Sequence, residues 1–261
     1  MINFDLMKIA LIQSSLVWEN PIANRNYFEA KINAIAESID LIVLPEMFTT
    51  GFTMHPNDLA ETMQGETIAW LQSLVKAKKC AITGSLIIKE NSNFYNRLVF
   101  VFPTGEIQSY DKKHLFTLAG ENKAYSNGTQ KIVIEYLGWK ICPLICYDLR
   151  FPVFSRNVEN YDLLLYVASW PKTRINAWDT LLKARAIENM SYAIGVNRIG
   201  TDENGYQYNG HSQAIDFLGN EILDPQEAEG VFLVELDKEK MLETRKKLDF
   251  LSDKDTFEIK R

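Results

Sequence analysis

The chain has 261 residues, a formal net charge of −6, 46% apolar and 24% charged residues. This is the composition of a globular domain long enough to bury a large core without staples. The acidic balance argues against a nucleic-acid or anionic-membrane surface, and no apolar stretch approaches the roughly 20 residues that span a bilayer.

The opening run MINFDLMKIALIQSSL lacks a basic region followed by a cleavable apolar segment, and reads as a short leader and a first strand. The run MKIALIQ (7–13) starts a series of nearly continuous Val, Ile and Leu segments, which predicts strands covered on both faces. It is followed by a helical pattern placing Phe28, Ile32, Ile35 and Ile39 on one side. DLIVLPE (40–46) is the next strand, and Ile68, Leu71, Leu74 and Val75 mark a second helix. CAITGSLII (80–88), RLVFVF (97–102), KIVIEY (131–136), WKICPLIC (139–146) and DLLLYVAS (162–169) continue the strands. A third helix is expected after Asn176 as N-cap, with Trp178, Leu181, Leu182, Arg185 and Ala186 on one side, ending near Met190. YAIGVNRIG (192–200), QAIDFLG (213–219) and GVFLVEL (230–236) complete the series. VFPTGEIQ (101–108) and DFLGNEIL (216–223) read as hairpins around glycine-centred turns. No low-complexity linker divides the chain, so one domain, 1–261, is the simplest organisation. Buried strands interleaved with helices give an α/β layered fold, and the number of strands favours two sheets packed face to face.

Three cysteines, Cys80, Cys142 and Cys146, lie in apolar runs. An odd count in such runs suits a reducing, cytoplasmic setting better than a disulfide framework. Cys146 stands apart because the sequence turns polar at once, as Tyr147, Asp148, Leu149 and Arg150. The thiol is therefore expected at a sheet edge, where ligands of open α/β sheets gather. Glu46 ends DLIVLPE and is either a helix N-cap neighbour or surface charge, or a desolvated carboxylate able to take a proton. In YDKKHLF, alternation puts Lys112 on the same side as His114. An ammonium there would stabilise a thiolate or an oxyanion, whereas His114 as base would make a Cys–His pair. His55 and His211 show no metal-ligand spacing, and no phosphate-cradling glycine loop is present, so neither metal nor nucleotide cofactor is expected.

Glu46 in LPEMF, Lys112 in YDKKHLF and Cys146 in ICYDLRFP together resemble the Glu-Lys-Cys triad of the nitrilase superfamily of carbon–nitrogen hydrolases. VASWPKTR, LLKARAIENMSYAIGVNRIG and GHSQAIDFLGNEI match further family segments, so the resemblance runs from about Lys8 to Leu236. CYDLRFPVFSR, the SWP segment and NRIGTDENGYQYNGHS look most like the omega-amidase branch. The resemblance implies an α-β-β-α sandwich, a homodimer, and hydrolysis of the terminal amide of short dicarboxylic monoamides such as 2-oxoglutaramate, 2-oxosuccinamate or succinamate. It implies Cys146 as nucleophile, Glu46 as general base, and Lys112 with the Tyr147 backbone N–H as oxyanion donors. Glu121, in LAGENKAYSNG, falls at the position of a supporting second glutamate. Phe48, Phe116, Arg150 and Trp170 are expected around the substrate, with Lys113, Arg174 and Arg198 as further cations for its carboxylate; Arg150 could instead pair with Asp148 or Glu188. The tail at 237–261 is expected at the dimer interface. Alternatives are an N-carbamoyl amine amidohydrolase or other small-amide hydrolase, and a scaffold that keeps the fold without catalysis. A glutamine amidotransferase would need a glycine beside its nucleophile, which ICYDL lacks.

Overall fold

The structure is a computed structural model describing residues 5–223 and 227–259, so the leader residues 1–4 lie outside the described part. The first strands are β1 (Leu6–Gln13), β2 (Leu41–Val43), β3 (Ala81–Glu90), β4 (Asn93–Val101) and β5 (Ile107–Asp111). A second group is β6 (Ile134–Tyr136), β7 (Trp139–Ile145), β8 (Leu163–Ala168) and β9 (Tyr192–Asn197). β10 (Ile199–Thr201), β11 (Gln207–Asn209), β12 (Gln213–Ile215), β13 (Glu221–Leu223) and β14 (Gly230–Asp237) complete the set. Among the described residues these form two six-stranded sheets, ordered β14-β1-β2-β3-β4-β5 and β13-β12-β9-β8-β7-β6, and a β10-β11 ribbon. Each sheet has a parallel centre, β1-β2-β3 or β7-β8-β9, flanked by antiparallel strands. Both glycine-centred hairpins form, as β4-β5 and β12-β13.

The continuous apolar runs follow from this layering. Ile9 and Leu11 of β1 join the core between the sheets, while Ala10 and Ile12 point to the opposite face. β2 alternates the same way, with Leu41 and Val43 inward and Ile42 outward. A strand with period-two side chains and cover on both sides has no position left for a polar residue. Helices Pro21–Asn33 and Glu66–Lys78 cover the first sheet, and Ile175–Asn189 packs on the second through Trp178, Leu182 and Ala186. The fold is the α-β-β-α sandwich.

Two helix boundaries differ from the sequence reading. Pro21–Asn33 stops before Ile35 and Ile39, which remain buried in the connection to β2; there Asp40 accepts from the Lys8 N–H at 2.8 Å, fixing the entry of β2 beside β1. Asn176 is inside its helix rather than at the cap, because a 3-10 turn over Lys172–Arg174 runs directly into it. The tail helix Lys238–Leu248 lies against its own chain. Met241 is buried, Arg245 donates to the carbonyls of Met190 and Tyr161 (both 2.6 Å), and Lys238 pairs with Asp162 at 2.8 Å.

Candidate active site

Three strand ends meet at one point. Glu46 follows β2, in a connection whose N–H groups are spent on β3: Leu44 N–H on the Thr83 carbonyl, Met47 N–H on Ser85 Oγ. Lys112 is one residue past β5, held by its N–H to the Asn96 carbonyl at 3.0 Å. Cys146 is the first residue past β7 and begins a 3-10 turn, Cys146–Arg150, with φ +43°. A left-handed non-glycine residue stores about 1–3 kcal/mol of strain, which the surroundings must hold in place.

The side chains of Glu46, Lys112 and Glu121 are buried together. Lys112 Nζ lies 2.8 Å from Glu46 Oε1 and 3.0 and 2.9 Å from the two Glu121 oxygens. Asn96 Nδ2 bridges both carboxylates, at 2.9 Å to Glu46 and 3.3 Å to Glu121. The Ser169 N–H donates to Glu46 Oε2 at 2.8 Å, and the Phe116 N–H to Glu121 Oε2 at 2.5 Å. Burial alone would strip the proton from Lys112, but Glu121 and Glu46 outweigh it and hold its pKa above the ordinary lysine range. Burial raises the Glu121 pKa, against the pull of Lys112. Cys146 is pushed well above an ordinary thiol by burial and by the charge of Glu46, with Lys112 and the Ser169 N–H acting in the opposite sense. Burial and the carboxylate neighbour thus favour the neutral thiol over the thiolate. Lys112 acts on the thiol in the expected sense, toward the thiolate, but dehydration and the Glu46 carboxylate act more strongly the other way.

A cavity of about 520 Å³ opens onto this group. Tyr147, Phe116, Arg150 and Trp170 line it, as do Glu46, Lys112 and Cys146. Arg150 lies with its guanidinium 4.9 Å from the Trp170 ring, and Arg174, also in the wall, lies 5.1 Å from Phe116. Among the described residues neither arginine has a carboxylate partner, since Asp148 is bonded to Tyr110 and His114 and Glu188 to Arg185. Phe48 is a correction: fully buried, it packs edge-on against Phe28 and beside Trp70 in the helix-covered core on the outer face of the first sheet. Its connection turns at Met47, φ +45°, which sends Glu46 and Phe48 to opposite sides. Arg198 is buried on the Tyr208 ring behind the wall, and His114 is spent on Asp148 at 2.8 Å rather than on the thiol. Lys113 is not among the lining residues.

The sequence reading missed Asn96, Ser169 and the far wall formed by Trp18, Phe52 and Tyr206. Ser169 ends an apolar run as Glu46 and Cys146 do and lies in the SWP segment of the family resemblance, but neither signal gave it a role. Asn96 lies inside β4 and had none. Among the described residues no cluster of three or more His, Cys, Asp or Glu could hold a metal, and no helix is long and apolar enough to cross a membrane.

Two α/β layers with a buried carboxylate–ammonium–thiol group at their strand ends define the class, and comparison with known proteins agrees. Residues 8–246 match the carbon-nitrogen hydrolase family model, and the chain belongs to that family. It is 47% identical over 240 residues to omega-amidase YafV of Yersinia enterocolitica, covering 91% of each chain. It is 31% identical to 2-oxoglutaramate amidase of Bacillus subtilis, over 94% of this chain and 96% of that one. The crystal structure of XC1258 from Xanthomonas campestris, a CN-hydrolase superfamily protein with an arsenic adduct in its active site, superposes with a TM-score of 0.95. That protein is 41% identical, and the match covers 98% of this chain and 99% of the other.

Proposed function

We propose that the chain is an omega-amidase, hydrolysing the terminal amide of a short dicarboxylic monoamide to the acid and ammonia. The observation that carries this reading is one cavity lined by a buried thiol and by two arginines that, among the described residues, have no carboxylate partner. The amide carbon sits over Cys146, and the distal carboxylate reaches Arg150, whose planar fork matches a carboxylate. The 2-oxoglutaramate and omega-amidase relatives support this substrate class.

The chemistry follows from the resting protonation. Burial and the charge of Glu46 favour the protonated thiol at Cys146, and sulfur attacks as Glu46 takes its proton. The developing oxyanion is received by the Lys112 ammonium and the Tyr147 backbone N–H. Glu46 returns the proton to the leaving nitrogen, the C–N bond breaks, and ammonia departs from a thioester. Water then enters, Glu46 removes its proton, and the second tetrahedral species collapses with cleavage of the C–S bond; Glu46 gives that proton back to the departing Cys146 sulfur, and the carboxylic acid leaves. Glu121 holds Lys112 in place throughout. The enzyme acts as a single catalytic domain in a homodimer, and its three free buried cysteines suit the cytoplasm.

The test is ammonia release from 2-oxoglutaramate, set beside succinamate, glutamine and N-carbamoyl amines. Cys146→Ala and Cys146→Ser are expected to abolish turnover while keeping the native melting transition. Full activity in Cys146→Ala rules out the thioester route, and a preference for carbamoyl substrates, with release of carbon dioxide, rules out the omega-amidase assignment.

A further inference from the structure

The strained turn that carries the thiol needs something to hold it, and one buried carboxylate is built to do so. Asp148 is fully buried, two residues after Cys146. Its Oδ2 accepts from the Ile145 N–H at 3.0 Å, bracing the residue just before the thiol, and from the Tyr110 hydroxyl at 2.8 Å. Its Oδ1 accepts from the His114 backbone N–H at 3.0 Å and lies 2.8 Å from His114 Nδ1. Tyr110 and His114 stand two residues before and two after Lys112. One carboxylate with four donors therefore ties the turn bearing the sulfur to both sides of the segment bearing the ammonium.

The surroundings reinforce the tie. The His114 ring stacks on Phe151 at 3.7 Å with planes 5° apart and meets Phe154 edge-on, so it is fixed against the chain just beyond the thiol turn. A carboxylate acceptor on Nδ1 selects the tautomer that carries the proton there. Burial and the charge of Asp148 raise the Tyr110 pKa, so the phenol keeps its proton and stays a donor. The Tyr110 oxygen also accepts the Lys113 N–H at 3.1 Å, bracing the residue after Lys112. The same turn ends in Arg150, which the tie places in the cavity wall.

We propose that Asp148 is a positioning residue that sets the Cys146 turn against Lys112, with Tyr110 and His114 as its two arms. This rests on the reading of Cys146 and Lys112 as the reacting pair. His114 then acts through Asp148 and is not a base for the thiol. The distinction is chemical: a base needs a titrating nitrogen, whereas an arm needs only an N–H at the Nδ1 position, which an asparagine amide supplies.

The experiment compares His114→Ala, His114→Asn and Tyr110→Phe with the unaltered enzyme in ammonia release, alongside the pH profile of iodoacetamide inactivation. A misplacement near 1 Å at a reacting centre costs about 100-fold. His114→Ala is expected to lower kcat by that order with KM little changed, and to move the inactivation profile to higher pH as Lys112 loses its fixed place beside the sulfur. His114→Asn is expected to recover most of kcat and the original profile, and Tyr110→Phe to fall between. His114 is partly exposed, so its variants are expected to fold. Should Asn be as impaired as Ala, or should His114→Ala keep full kcat, the positioning role is overturned. An effect confined to the melting temperature, with the inactivation profile unmoved, overturns it equally. Activity surviving in Cys146→Ala would strike the parent reading instead, so the two failures are told apart.

Discussion

Glu121 accepts from Lys112 through both oxygens, from Asn96, and from the Phe116 N–H. Glu121→Gln would turn an amide N–H₂ toward an ammonium or a backbone N–H and remove one of the two charges that hold Lys112 protonated. An unsatisfied buried donor costs about 1–3 kcal/mol. With roughly 1.4 kcal/mol per tenfold in rate, kcat should fall by about 10- to 100-fold, read in single-turnover acid release; unchanged kcat would remove Glu121 from the site's function. Arg150→Ala addresses the opposite end of the cavity. A hydrogen bond to a charged group is worth about 1.5–3 kcal/mol, so KM for 2-oxoglutaramate should rise by more than about tenfold while kcat falls less. A monoamide lacking the distal carboxylate should show no such rise. Glu46, Lys112 and Cys146 were legible because each ends an apolar run, where a polar group has a position but no obvious purpose. Glu121 and Asn96 were not legible from local pattern. One sits on a short helical turn and the other within a strand, and their partners come from packing between β4, β5 and the loop after Phe116. Glu121 was reached only through family resemblance.

At the level of elements, helix Ile175–Asn189 was readable from Trp178, Leu182 and Ala186, because a helix pressed on a sheet must be apolar on that stripe. Its first turn was misread, since Asn176 is a good capping residue and the preceding 3-10 turn leaves no trace in periodicity. What the pattern could not show is how closely the helix approaches β9. A Cβ on Gly195 would lie 2.5 Å from Trp178 and 2.6 Å from Leu182. Gly195→Ala should therefore push the helix off the sheet and destabilise the fold by about 1–3 kcal/mol, the usual cost of overpacking, read as a lower urea midpoint. β7 carries a second consequence. Burial pushes the Cys142 thiol from 9.0 up to about 12. In the unfolded chain this thiol ionises from about pH 9, while the folded chain holds it neutral. The stabilising difference is complete below that pH and is lost as pH rises toward 12, at about 1.4 kcal/mol per unit. Thermal melting should fall through this alkaline window, and Cys142→Ala, less stable at neutral pH, should fall less steeply. Equal slopes would show that other groups govern the alkaline limit.

On the scale of the whole molecule, each sheet has a helix-covered outer face, and the apolar residues left exposed mark where the sandwich is unfinished. Ile187, near the end of helix Ile175–Asn189, is 48% exposed, and Leu218 in the β12-β13 turn is 49% exposed. They adjoin, since a Cβ on the neighbouring Gly219 would meet the Ile187 side chain at 2.6 Å. Val153, in the short helix after the thiol turn, is 56% exposed. Adjoining exposed apolar side chains such as Ile187 and Leu218 are what a self-association surface uses, and a two-fold interface brings the same patch of both copies together. The tail helix Lys238–Leu248 is held to its own chain by Met241 and Arg245, so only its outer side, with Leu242, is open to a partner. In the proposed homodimer, a two-fold contact on this face would make one substitution act twice, because Ile187→Glu would place two carboxylates in a single interface, where burial and mutual repulsion oppose association together. Sedimentation velocity should show a dimer for the unaltered chain and a monomer for Ile187→Glu, with Leu242→Glu shifting the equilibrium less. The site lies at strand ends within one chain, so the Ile187→Glu monomer should retain the Cys146 labelling rate. A dimer that persists in Ile187→Glu would move the interface away from this face.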